Sequence, residues 1–263
     1  MTSFLRALPA AAALALALPV TGQAADVAVP ESASGWTFTG AAYVWASSLE
    51  GEAGLFGLPE QEIDLSFGDI LQDLDFSFMG LGEARNGGFV MGMDLTYTRI
   101  GSNVENPRPG ENKLINDVDI DVTAWMATGY AGYNLLETDM LRMDLIGGAR
   151  LWSVNTELTA NSNWNAIDGR SAEDGATWVD PLAGAKMRLD LTDDVYMSAW
   201  GMVGGFGVSS DLMWDVMAGV GYEFNDTFSA FGGYRAVGVD YSNDGFVYDM
   251  VQQGPVAAAV FRF

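Results

Sequence analysis

The sequence predicts an all-β fold: a transmembrane, up-and-down antiparallel β-barrel of about ten strands, with eight or twelve as alternatives. Three observations predict it. Segments of roughly ten to sixteen residues, rich in aromatic, Val, Ala, Met and Gly residues, alternate with turn signals along most of the chain. Within these segments apolar and polar side chains alternate with a period of two. Beyond the N-terminus, Gly, Asp and Arg interrupt every apolar run before it could cross a bilayer as a helix, so crossing lipid requires a closed barrel.

The elements follow in order. Arg6 precedes an apolar run over 7–20, broken only by Pro9 and Pro19, and then the small polar stretch 21–24. Residues 1–24 therefore read as a secretory signal cleaved near Ala24 or Ala25, the run being shorter than the roughly eighteen residues of an anchor. Residues 25–35 read as an N-terminal linker on the periplasmic side, and 36–263 as the barrel. Strands are expected at 36–47, 75–85, 88–99, 117–133, 139–156, 176–190, 195–206, 212–224, 227–241 and 246–263. The eighth is the clearest. Leu212, Trp214, Val216, Ala218, Val220, Tyr222 and Phe224 fall on one face, and Met213, Asp215, Met217, Gly219, Gly221 and Glu223 on the other.

Connector lengths fit a barrel better than a soluble sandwich. Links after even strands are short (86–87, 134–138, 191–194 and 225–226), whereas the first three after odd strands are long (48–74, 100–116 and 157–175). Short periplasmic turns and longer outer loops produce this asymmetry. With both termini periplasmic, Trp36, Tyr133, Tyr222, Phe224, Phe261 and Phe263 mark an inner aromatic belt. Tyr97, Trp152, Trp178, Trp214, Tyr241 and Tyr248 mark an outer one. In the first loop, Phe67, Ile70, Leu71 and Leu74 share helical spacing, which predicts a short amphipathic helix lying over the mouth or against lipid.

Composition excludes several function classes. Twelve basic residues against thirty-five acidic ones, a net charge of -23, argue against a nucleic-acid partner. Cysteine is absent, which removes disulfides and thiolate chemistry. Histidine is absent too, and with it the commonest general base and metal ligand. The first loop holds Glu50, Glu52, Glu60, Glu62, Asp64, Asp69 and Asp73 without a basic residue, so the acid excess belongs to the outer loops.

Charged side chains on the lipid face cost roughly 2–4 kcal/mol near mid-membrane, so alternation should turn them inward. This places Arg142, Arg150, Lys186, Arg188, Arg235 and Arg262 in the lumen with Glu83, Asp94, Asp144, Asp180, Asp215 and Glu223. Those near the periplasmic ends, Glu83, Arg142, Asp144, Lys186, Arg188, Glu223 and Arg262, are expected to form a salt-bridged plug. The alternative is a narrow passage for a small solute lined by Arg150 and Arg235. Asp117, Asp119 and Asp121 share one face and are the candidates for weak calcium or magnesium binding, against the plainer reading of a wet lumenal face at the strand top. Carboxylate pairs such as Asp117 with Asp119 also leave open a carboxylate-based enzyme.

The chain ends Val260, Phe261, Arg262, Phe263, which resembles the C-terminal signature of bacterial outer-membrane barrels and implies recognition of Phe261 and Phe263 by the barrel assembly machinery. The stretches from Trp178 through Gly201, from Gly219 to Phe224 and from Gly233 to Arg235 are similar to a family of small, largely uncharacterised Gram-negative surface barrels. Val239 to Tyr241 and Gly254 with Pro255 continue the likeness. Architecture resembles the OmpA-like and porin-like membrane barrels, without an appended periplasmic domain. The resemblance implies an outer-membrane location among lipid and lipopolysaccharide, and no particular reaction. The expected role is non-enzymatic and structural or surface-directed, with acidic extracellular loops and a charge-paired, mostly closed lumen. The alternative is a narrow porin-like channel for small solutes.

Overall fold

A computed structural model describes residues 35–105, 116–162 and 168–263. The signal segment and all of the linker but Gly35 lie outside the described residues. Ten antiparallel strands close into a barrel: β1 (Trp36–Trp45), β4 (Leu74–Asn86), β5 (Phe89–Glu105), β6 (Asp117–Glu137), β7 (Leu141–Asn161), β8 (Arg170–Asp190), β9 (Val195–Gly205), β10 (Leu212–Glu223), β11 (Phe228–Asn243) and β12 (Phe246–Arg262). Each pairs with its neighbours in this order, and β1 closes the ring against β12, from Thr39 opposite Arg262 to Trp45 opposite Val256. Closure leaves a barrel no edge strands, which an isolated β-sheet could not achieve.

Two further strands, β2 (Ser48–Gly54) and β3 (Gln61–Leu65), stand outside the ring. Ser48 opposite Gln253 continues the register of Trp45 opposite Val256, so β1 and β2 run as one strand along β12. Pro255 at the junction has no N–H, and its carbonyl accepts from Ala46. Beyond the Ala42–Gly80 pair β1 parts from β4 and follows β12 outward. The first loop thus holds a β-hairpin that the sequence reading did not foresee.

The expected helix exists as α1 (Phe67–Gln72), opened by a capping box in which Ser66 and Asp69 each satisfy the other's backbone N–H. Leu74, expected on its apolar stripe, instead begins β4. Phe67 and Leu71 stay exposed, and α1 touches β2 and β3. The helix lies beside the hairpin and caps no mouth.

Strands β6, β7 and β8 are each 21 residues long, against 11 and 12 for β9 and β10. At about 3.3 Å per residue and a tilt of about 40°, the longest span roughly 50 Å, well past an apolar band of about 25 Å. Parts of the expected loops 100–116 and 157–175 are therefore strand. At one end the turns are short throughout; at the other, Asp244 and Gly245 both take positive φ (49° and 88°), the type I′ geometry that matches strand twist in a two-residue hairpin.

The outward face is apolar through its middle, with Met91, Met93, Leu145, Val179, Val203, Val216 and Val220 exposed. At the short-turn end aromatic side chains border it on β1, β5, β6, β10, β11 and β12. Trp36 contacts Phe38 and Phe89, and Tyr222, Phe224, Phe228 and Phe261 follow one another in contact. Tyr133 is exposed at the same level, opposite Phe89. Toward the loop end Phe76, Tyr97 and Trp125 are in tilted ring contact across three strands.

Four residues expected in the outer belt point the other way. Trp152, Trp178 and Tyr241 are buried in the lumen, and Tyr248 packs against them. The reason is the strand period itself: Trp152 shares a face with Arg150, Trp178 with Asp180 and Tyr241 with Arg235. An inward arginine fixes its neighbour two residues on as inward too. The same rule turns Asp117, Asp119 and Asp121 outward, because β6 keeps its register from there to the buried Met126, Thr128 and Tyr130. They do not line a lumenal face.

Candidate functional site: the barrel lumen

At mid-height two guanidiniums and two carboxylates meet across the lumen. Arg235 donates to Asp94 (2.7 Å) and twice to Asp215 (2.7 and 3.2 Å), while Arg150 reaches Asp215 at 2.5 Å and Thr128 at 2.7 Å. Tyr43 joins them by donating to Asp94 (2.7 Å) and accepting from Arg235 (3.0 Å), and the Trp200 indole N–H donates to Asp215 (2.8 Å). Arg235 sits between the Trp45 and Trp200 rings, 5.1 Å from each. All four charged side chains are 5% exposed or less, and their formal charges cancel. A buried pair costs desolvation that Coulomb attraction offsets only when the remaining donors are also satisfied, as these are.

Toward the loop end the lumen is filled by rings. Trp178 stacks on Tyr241 at 4.0 Å and on Trp152 at 5.9 Å, with Phe246 and Tyr248 against its edges. Asp180 is buried with no cation paired to it among the described residues. It accepts from the Ser210 backbone N–H (2.8 Å), the Ser210 hydroxyl (2.7 Å) and the Trp178 indole (3.2 Å), which ties the 206–211 turn down over the stack.

Toward the short-turn end the lumen opens into a vestibule of about 780 Å³. One side is charged. Glu83 binds Lys186 and Arg85, Arg85 forks onto Asp144, and Tyr130 links Glu83 (2.8 Å) to Lys186 (2.6 Å). Lower down, Arg188 and Arg262 each reach Glu223 at 2.5 Å, and both lie over the Tyr196 ring. That ring covers Gly221, where a Cβ would meet its Cζ at 2.1 Å; Phe231 covers Gly219 in the same way, at 2.4 Å. The two glycines let aromatic faces lie flat against the wall instead of projecting into the space.

Every charged residue assigned to the lumen by alternation thus lines it, but the arrangement differs from the expected plug. Glu83, Arg142, Asp144, Lys186, Arg188, Glu223 and Arg262 line the open vestibule, and the fully buried charge network lies higher up. Arg150 and Arg235, expected to line the alternative passage, are both held by carboxylates within the lumen. Arg142 pairs with Glu137, directly opposite it at the end of β6. Sequence reasoning missed Arg85, Tyr43, Tyr130 and Trp200. The period-two rule would have found Arg85, which shares a face with Glu83.

On the outer wall, Asn103 and Asn161 each donate to both Asp117 and Asp119, at 2.6–2.8 Å, and Asp121 pairs with Arg99 at 3.1 Å. Among the described residues no three carboxylates converge on a metal position.

No family model matches the chain, and no curated protein matches it. Solved structures do. The outer membrane protease OmpT from Escherichia coli is similar at a TM-score of 0.52 and 10% identity, over 87% of this chain and 97% of that one. The translocator domain of autotransporter NalP from Neisseria meningitidis aligns at 0.40 and 11%, over 89% and 90%. The attachment invasion locus protein Ail of Yersinia pestis aligns at 0.33 and 12%, over 87% and 99%. At such identities the likeness to OmpT is one of fold. What the two share is the closed antiparallel β-barrel.

Proposed function

We propose that this chain is a non-enzymatic outer-membrane barrel, delivered by a cleaved secretory signal, that acts at the cell surface through its acidic loop end while its lumen stays closed to solutes. The wall supports the membrane assignment, with an apolar outward band bordered by exposed aromatic rings. The short turns then lie in the periplasm and the β2–β3 hairpin outside. Within that hairpin Glu50 stands opposite Asp64, and Glu52 opposite Glu62. Like charges directly opposite destabilise a sheet, so this surface suits a cationic partner.

The observation that carries the closed-lumen reading is the fully buried Asp94, Arg150, Asp215 and Arg235 network, with the Trp178 stack beyond it. A permeating ion would have to break charge-assisted hydrogen bonds at the first and displace packed rings at the second. Purified mature protein that migrates faster unheated than boiled, and is silent in a planar bilayer, is the expected result. Steady, ion-selective openings would replace this reading with the narrow channel.

A further inference from the structure

We propose that the free edge of β3 takes up an extended protein segment in which basic and apolar residues alternate, adding it to the sheet as a further strand. This deepens the cationic-partner reading of the acidic hairpin, on which it rests; the backbone pairing and the alternation go beyond that reading.

The edge is unpaired. β3 pairs with β2 on one side and, among the described residues, with no strand on the other. β5 runs past Ile100, where its pairing with β4 ends at Leu74, and continues to Glu105 with β6 alone beside it. Neither β4 nor β5 therefore closes against the hairpin. A strand edge presents a row of backbone N–H and C=O groups that an incoming strand satisfies. The five residues of β3 are a usual strand length, enough for one such pairing.

The side chains define the partner. Glu62 stands opposite Glu52, Glu52 opposite Asp249 and Asp249 opposite Asp240, so four exposed carboxylates lie in register across β3, β2, β12 and β11, on strands about 4.8 Å apart. Glu50 and Asp64 form a further opposed pair on the same face. Among the described residues no basic side chain pairs with any of these, and Arg99 is taken up by Asp75 and Asp121. The other face of β3 carries Ile63 and the exposed Leu65, and α1, which touches β3, adds the exposed Phe67 and Leu71.

A strand added to this edge continues both faces. Lys or Arg on its carboxylate face relieves the repulsion of Glu62 and Asp64, and apolar residues at the alternate positions bury surface beside Ile63 and Leu65. A second copy of this chain does not meet the requirement, because antiparallel pairing of two β3 edges about Ile63 sets Glu62 against Asp64. The carboxylates that keep copies apart thus admit a basic strand.

The test is fluorescence anisotropy of a labelled nine-residue peptide alternating Lys and Val, titrated with the folded mature protein in phosphatidylcholine nanodiscs, with empty nanodiscs as the blank. Saturable binding of one peptide per chain is expected, and amide exchange over residues 61–65 should slow at least tenfold in the complex. Two control peptides keep the charge: one is N-methylated along its backbone, which blocks both edges, and one has its lysines grouped at one end. Each should bind at least tenfold more weakly, and Glu in place of Lys should abolish binding. Glu62→Gln combined with Asp64→Asn should weaken binding at least tenfold, whereas Asp193→Asn combined with Asp194→Asn, between β8 and β9 at the short-turn end, should leave it unchanged. Heat-shifted gel migration checks that each variant is folded. Equal binding of the methylated or grouped peptide would show that acidity alone attracts cations, overturning this inference and sparing the cationic-partner reading. Unchanged exchange over 61–65, or a folded Glu62 and Asp64 variant that binds like the parent, would place the peptide elsewhere and overturn it as well. Absence of saturable binding by every basic peptide would overturn both.

Discussion

Replacing Asp215 by Asn tests the central network most directly. Asp215 accepts from Arg150, twice from Arg235 and from Trp200, and it is fully buried. Two guanidiniums face two carboxylates in the parent; the variant leaves both guanidiniums with Asp94 alone. Removing one partner of a buried pair costs about 3–5 kcal/mol, because the remaining charge stays desolvated and uncompensated. The isosteric amide still accepts one hydrogen bond, so the lower end, about 3 kcal/mol, is expected, a shift of roughly 150-fold in the unfolding equilibrium. Urea unfolding in phosphatidylcholine vesicles, followed by tryptophan emission and by gel migration, measures it. Arg150→Met alone leaves one negative charge in excess, and the double variant restores neutrality between Arg235 and Asp94. The double variant should therefore lose less than the sum of the two singles, by at least about 1 kcal/mol. Additive losses, or a cost of Asp215→Asn below about 1 kcal/mol, would show that water reaches the network and that charge pairing does not close the lumen.

Two further outcomes follow from the loop end. Asp180→Ala removes the acceptor of the buried Ser210 N–H and hydroxyl, which should cost about 1–3 kcal/mol and release the 206–211 turn. Hydrogen exchange at Ser210 reads the second effect, and unchanged protection there would refute the anchoring role. At α1, hydrogen bonds from the Ser66 hydroxyl and backbone N–H hold the Asp69 carboxyl below the ordinary aspartate value of 3.8. A depressed value in the folded state means that the capping contribution is present above the unfolded value and is lost as pH falls through the folded one. An NMR titration of the Ser66 amide should accordingly show a midpoint below 3.8; a midpoint at or above it would contradict the capping box.

Much of the lumen was legible from alternation alone. The paired charges needed only the rule that residues two apart share a strand face, and β10 obeys it along its length, from the buried Met213 and Asp215 to the exposed Val216 and Val220. The errors came from relaxing the same rule for aromatics. Trp152, Trp178 and Tyr241 suit a lipid interface by type, yet each lies two residues, or a multiple of two, from a charge already assigned inward. The β2–β3 hairpin was hidden because its strands are short and carry carboxylates at the outward positions where apolar residues usually mark a strand.

By itself the sequence determined the approximate position of the ten ring strands, the all-β barrel architecture, the short-turn end, and the inward face of the charged side chains assigned to the lumen. These depend on local backbone geometry, a repeat of two residues and the turn chemistry between repeats. Only the tertiary structure decided which charges meet and at what height in the lumen they do so. Arg235 and Asp94 are 141 positions apart and lie on strands that are not neighbours in the wall. Their contact depends on closure of β1 against β12, on strand number and on the resulting width of the barrel, which no local pattern encodes. The same closure left the lower lumen open, because Tyr196 and Phe231 lie flat over Gly221 and Gly219 while Arg150 and Arg235 extend far enough to meet across the centre.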